Sequence, residues 1–249
     1  MNKTLSAEAL LILDHYLHFK VGTATCSVPY FNNKTLGSRG ALAVHVGKGS
    51  PLGLSHEVRD LLFKKKVAPE SLNDDTLKKL LVENNLGIDC SGFVYHILNT
   101  ECISTEKGPL KKRLTFTQAR GLFGKMNAAL HPAKNSGVLT FTDDVNSSII
   151  PITEVTPGDI ITLVGNSGEG ERDHILVVHE VIGENSKAKT LHYSHSVAYP
   201  EDGLYGTGVR QGNIEISDPS APLLTAHWSE QHIFNRANKS KTELRRLKR

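Results

Sequence analysis

The segment Leu86-Gly87-Ile88-Asp89-Cys90-Ser91-Gly92-Phe93-Val94-Tyr95-His96-Ile97-Leu98 sets a cysteine where a glycine-containing turn becomes an apolar helix. The first N–H groups of a helix lack intrahelical partners and the macrodipole is positive there. A thiolate at Cys90 is therefore stabilised, and its pKa is expected to fall. Asp89 or Ser91 is the expected cap, and Gly92 leaves the backbone open to a close-approaching ligand. Phe93, Val94, Ile97 and Leu98 recur at helical spacing and anchor the helix in a core. This is an arrangement for nucleophilic chemistry at a carbonyl carbon, which also needs a base.

The chain has 12 histidines, and strand parity narrows the choice. His174 opens the apolar run Ile175-Leu176-Val177-Val178 after a charged stretch. His179, five positions on, has the opposite parity and cannot share its face in a regular strand. His192 and His195 likewise face opposite ways, so only one of them can meet His174. These histidines lack the carboxylate or cysteine spacing of a metal set. Cys26, Cys90 and Cys102 suggest neither a disulfide framework nor zinc, and their odd number favours a reducing compartment.

Asp89-Cys90-Ser91-Gly92-Phe93-Val94 resembles the nucleophile motif of the NlpC-like cell-wall cysteine peptidases. Further short motifs follow in that family's order: Pro157-Gly158-Asp159 before a strand, Asp173-His174-Ile175 opening the next, and His192-Tyr193-Ser194-His195-Ser196 in the one after. Upstream, Val28-Pro29-Tyr30-Phe31 is similar to the Pro-Tyr segment whose tyrosine lies beside the nucleophile. The resemblance implies a papain-like fold, with the nucleophile helix packed on an antiparallel β-sheet. It also implies Cys90 as nucleophile, His174 as its base and His195 as the residue orienting His174. Tyr30, Ser91 and Asp89 fall on the substrate and oxyanion side, although Asp89 and Asp159 also read as structural acceptors for turn N–H groups. The implied activity is cleavage of an amide bond in a peptidoglycan stem peptide, without metal or cofactor. Arg172 and Arg210 are candidate partners for that substrate's carboxylates. The chain departs from the family pattern in two long insertions, near 32–85 and 103–150, and in lacking a Trp-Gly-Gly after Tyr30.

The elements that must position these residues are those of an α+β fold. Amphipathic patterns predict helices over 7–19 (capped by Ser6), 55–66, 71–84 and 117–130, the last stopped by Pro132. Strands are expected over 41–46, 138–141, 149–152, 160–164, 175–182, 190–197 and 208–216. Gly47-Lys48-Gly49-Ser50 reads as a turn, as do 165–168 and 183–185. The helical insertion before Cys90 reads equally as a wall or lid over the cleft and as a packing appendage. Residues 1–235 are expected to form one catalytic domain, followed by a basic tail over 236–249 that makes weak polyanion contact or is a solvated end.

Composition bounds the function. The 249 residues are 39% hydrophobic and 22% charged, ordinary for a globular chain. A net charge of +3 does not imply a nucleic-acid partner. The apolar stripe of the first helix is broken by Glu8, Asp14, His15 and His18, so it reads neither as a secretory signal nor as a membrane span. The expected location is then the cytoplasm or a destination reached by a non-classical route. This keeps open an intracellular thiol amidase or acyltransferase acting on another substrate, and a catalytically inactive binding module with a basic tail.

Overall fold

The structure, a computed structural model, describes residues 2–32, 42–165, 173–184 and 187–248. Its order is β1 (Asn2–Thr4), α1 (Ala7–Leu17), β2 (Phe19–Val21), β3 (Ala24–Cys26), α2 (Pro51–Lys65), α3 (Asp74–Glu83), α4 (Cys90–Ser104), α5 (Gly121–Leu130), α6 (Pro132–Asn135), α7 (Val138–Thr142), β4 (Ser147–Ile149), β5 (Ile160–Gly165), β6 (His174–Glu184), β7 (Lys187–Val197), β8 (Gly208–Glu215), β9 (His227–Trp228), α8 (Gln231–Lys239) and β10 (Ser240–Leu247). Helices first and strands later give an α+β architecture, as the sequence pattern predicts.

The main sheet is antiparallel and runs β4-β10-β5-β6-β7-β8-β9. On its β5 side, β6 pairs with β5 along 174–177 and with β1 along 180–182. Alternation along β6 divides the interior in two. Ile175 and Val177 face a core built with Phe93, Val94, Ile97 and Leu98 of α4, while Leu176 and Val178 face a second core that includes Tyr193, Trp228 and, from α8, Ile233 and Ala237. The sheet thus holds α4 on one face and α8 on the other.

The first insertion belongs to the main core. Leu54, Val58 and Leu62 of α2 and Leu77 and Leu81 of α3 are buried in the same cluster as α4. Ser50 caps α2, accepting from the Gly53 N–H at 3.1 Å, and Pro51 takes the first turn, where a missing N–H costs nothing. In α5, by contrast, Leu122, Phe123, Met126 and Leu130 are all exposed.

Several expectations are corrected. Of the strand expected over 149–152 only residue 149 is in a strand, at the end of β4, and residue 152 begins a 3-10 turn. Residues 43–46 form a 3-10 turn ending at Gly47 with φ of 74°, not a strand; residue 41 lies outside the described residues. Residues 138–141 lie in helix α7, because Val138 and Phe141 bury together at a spacing of three and the Thr140 hydroxyl accepts from the Gly137 N–H at 3.4 Å. Residues 236–248 are not a tail, and residue 249 lies outside the described residues. Residues 236–239 complete α8, and β10 lies inside the sheet, pairing with β4 along 245–247 and with β5 along 240–245.

Two basic residues of β10, Arg245 and Arg246, are taken up by that position. Arg245 is 2% exposed and donates to Ser147 Oγ at 2.8 Å, to Glu243 at 2.6 Å and to Asp144. The Arg246 guanidinium forks onto both Asp159 oxygens at 2.8 and 2.7 Å, and Asp159 in turn accepts from the Thr156 N–H. The Pro157-Gly158-Asp159 turn is therefore locked to β10. Arg245 and Arg246 are thereby engaged within the fold. Of the expected turns, 166–168 and 185 fall outside the described residues. No helix among the described residues is long and apolar enough to cross a membrane.

Candidate active site

Cys90 is the first residue of α4. Asp89 caps the helix, its Oδ1 accepting from the Gly92 N–H at 2.6 Å. The same oxygen accepts from Lys48 Nζ at 2.8 Å and from the Ser91 hydroxyl at 3.2 Å. Lys48 Nζ also donates to Ser91 Oγ at 2.6 Å and to the Ser136 carbonyl at 3.0 Å. A single buried ammonium thus ties the nucleophile turn to the 47–50 turn and to the segment before α7.

Sequence reasoning missed Lys48, which it read only as part of a turn. The signal lay in the glycines. A Cβ at Gly92 would come within 2.8 Å of the Gly47 carbonyl and 2.9 Å of Lys48 Cδ. Gly92 therefore makes room for the lysine stem and its loop, not for a ligand as expected. Asp89 and Ser91 line the cleft beside Cys90, but their polar atoms are engaged in this knot.

The cleft has a volume of about 440 Å³; Tyr30, Cys90, Lys134, Val138 and Asp173 are among its lining residues. Tyr30 is brought there by backbone pairing. The Ile88 N–H donates to the Pro29 carbonyl at 3.0 Å and the Phe31 N–H to the Ile88 carbonyl at 3.3 Å, which lays 29–31 along the turn before Cys90. Lys48 also lines it, and Lys134 is a second lining cation that sequence reading did not single out. Arg210 is not part of this wall: it pairs with Asp202 at 2.6 Å and covers the Tyr199 ring, and Arg172 lies outside the described residues. Cys26 sits across from Phe19 in the small β2–β3 sheet, and Cys102 accepts from Arg113 at 3.1 Å.

His174 and His195 meet on neighbouring strands. Nε2 of His174 lies 2.8 Å from Nδ1 of His195, with the rings edge to face. Both are buried, at 2% and 0% exposure. His195 stands between Tyr193 and Val197 on one strand face, and its Nε2 lies 2.9 Å from Oε2 of Glu230. His192 takes no part in this His174–His195–Glu230 arrangement; it lies near His179, whose Nδ1 is 2.9 Å from Ser194 Oγ. Glu230 left no mark in the sequence pattern. It precedes α8, 35 residues beyond His195, and only the return of the chain through β9 brings it back.

The electrostatics differ from the expectation at Cys90. Burial, and then the Asp89 carboxylate, push its thiol up to about 11, outweighing the Lys48 and Arg236 charges and the Ile175 backbone N–H. The helix terminus does not make a resting thiolate here. Burial, followed by the nearby charges of His195 and Arg236, holds His174 well below the ordinary histidine value. The resting state is a neutral thiol beside a strand that carries a neutral imidazole. The sulfur meets the Ile175 N–H, one residue from His174; among the described residues no hydrogen bond joins Cys90 to His174 itself.

Among the described residues, no group of three or more His, Cys, Asp or Glu side chains is arranged to hold a metal ion. No family model, curated protein or solved structure matches the chain.

Proposed function

We propose that this chain is a cysteine hydrolase with a papain-like fold that cleaves an amide bond in peptidoglycan stem peptides through Cys90, His174 and His195. The observation that carries the reading is the 2.8 Å contact between the buried imidazoles of His174 and His195, where His174 lies next to Ile175, whose N–H meets the Cys90 sulfur. The resemblance of 89–94 to the NlpC-like nucleophile motif supplies the substrate class.

The chemistry starts from neutral partners, so His174 acts as a general base and not as half of a stored ion pair. In the substrate complex, where catalytic contacts tighten, His174 takes the thiol proton as sulfur bonds to the carbonyl carbon. The carbonyl oxygen becomes an oxyanion facing the Cys90 N–H, with the Tyr30 hydroxyl on the same cleft wall. The C–N bond then breaks, and His174 passes its proton to the leaving amine. Water attacks the resulting thioester, giving His174 a proton that returns to sulfur as the acid departs. Lys134 offers a cation for a substrate carboxylate.

The test is incubation of purified stem-peptide fragments with the native protein, Cys90→Ala and His174→Ala, following the release of new amino groups. Cleavage by the native chain alone is expected, with each variant reduced at least 10²-fold, on the order of a general-base contribution. Intact fragments together with turnover of other acyl donors would replace the murein reading with an intracellular amidase or acyltransferase. Inertness toward both would leave a binding module.

A further inference from the structure

The 2.9 Å contact between Glu230 and His195 has the geometry of a control on protons. We propose that Glu230 is a positioning residue that fixes the tautomers of both buried histidines, so that Nδ1 of His174 is the nitrogen left unprotonated. The role of that nitrogen as a base rests on the function proposed above; the tautomer assignment stands on geometry alone.

An ionised carboxylate only accepts hydrogen bonds. Oε2 of Glu230 therefore requires the proton of His195 to be on Nε2. A neutral His195 then has its lone pair on Nδ1, which lies 2.8 Å from His174 Nε2. That nitrogen must carry the second proton and donate it. One carboxylate thus dictates the state of a ring it does not touch, by the logic through which outer partners set histidine tautomers elsewhere. Burial favours a neutral His174, whose second proton would be desolvated. Burial pushes the Glu230 carboxyl up, but the hydrogen bond from His195, with Tyr193 and Arg210, brings it below the ordinary glutamate value and keeps it ionised.

An independent observation shows the carboxylate's space to be reserved. Gly212 is the cross-strand partner of Tyr193, and a Cβ there would lie 2.4 Å from the Tyr193 hydroxyl oxygen and 2.7 Å from Glu230 Oε2. A side chain at 212 and the carboxylate in its present position exclude one another.

The experiment is two-bond proton–nitrogen correlation NMR of the histidine rings in 15N-labelled full-length protein at pH 8. Native protein, Glu230→Gln, Glu230→Asp and Gly212→Ala are compared, and His174→Gln and His195→Gln assign the signals. In the native chain both rings are expected as Nε2–H tautomers. In Glu230→Gln the side-chain NH₂ can donate to His195 Nε2, so the pyrrole-type and pyridine-type signals interchange in both rings. Glu230→Asp restores the native pattern, while Gly212→Ala displaces the carboxylate and loses it. A native His174 protonated on Nδ1, or a Glu230→Gln spectrum with both tautomers unchanged, overturns the proposal. No substrate enters this measurement. The expected spectra with no amide cleavage would therefore remove the proposed function and leave the tautomer control standing.

Discussion

Lys48 and Asp89 form a buried ion pair at 2.8 Å, their side chains 8% and 5% exposed, directly against the nucleophile turn. Two fully desolvated charges persist only when both are satisfied. Here Asp89 has three donors and Lys48 three acceptors. Lys48→Met should leave a carboxylate buried without its cation and cost about 3–5 kcal/mol. Urea unfolding checks the loss, and Lys48→Met with Asp89→Asn should recover more than half of it. An equal loss in both variants would show that the lysine stem, packed on Gly92, and not its charge, carries the effect.

His174 and His179 make the fold sensitive to acid. Burial holds His179 down to about 4 and His174 well below its ordinary value. The unfolded chain takes up protons near 6.5, whereas the folded chain refuses them until lower pH. Their stabilising contribution is thus complete above about 6.5 and is lost as pH falls through the folded values. For His179 alone the difference is about 3 kcal/mol. Unfolding free energy measured between pH 7 and 4 should fall steeply, and His179→Asn should flatten that slope.

The Cys90 thiol works at the other end of the scale. Its folded value of about 11 lies above that of an unfolded cysteine, so the neutral thiol adds stability below about 8.5 that is lost as pH rises through 11. Without substrate, alkylation of Cys90 should be slow at pH 7 and accelerate as pH rises. Fast labelling at pH 5 would contradict a protonated resting thiol.

Tyr30 lines the cleft beside Cys90, and its hydroxyl accepts from Asn32 Nδ2 at 3.4 Å. If that hydroxyl helps receive the oxyanion, Tyr30→Phe should lower kcat on stem-peptide fragments by roughly 10²-fold with little change in KM. A change confined to KM would make Tyr30 a binding wall.

A chain ending at Lys239 keeps every proposed catalytic residue but lacks β10. The unpaired edges of β4 and β5 would then face solvent, and Asp159 would lose its Arg246 fork. Such a chain should show no cooperative thermal transition by circular dichroism. A native-like transition would mean that β10 is an accessory strand.

Much of the sheet and the nucleophile helix was readable because apolar side chains there follow one period. β5 to β8 carry apolar patterns that match their burial, and α4 follows a capped turn. α7 was hidden by Val138 and Thr140, whose β-branched preference competes with a helix set by Phe141 packing. β10 was hidden because Ser240-Lys241-Thr242-Glu243-Leu244-Arg245-Arg246-Leu247 reads as polar; beside the local Glu243, its arginines are paired by Asp144 and Asp159, which are distant in sequence. The His174 and His195 pairing followed from strand parity and the motif order. Lys48 and Glu230 did not, since each acts across more than 30 residues and no local pattern marks such contacts.

The position of β10 also orders events during synthesis. Arg245 binds Ser147 across 98 residues of sequence, and β10 is made after every strand it joins. As the chain leaves the ribosome, β5 to β8 can pair with one another while β4 has no sheet partner and β5 keeps a bare edge. Cys90 has emerged by then, on a helix whose supporting sheet is unfinished. The interval before β10 arrives is when a nascent chain is most open to pairing with another copy of itself.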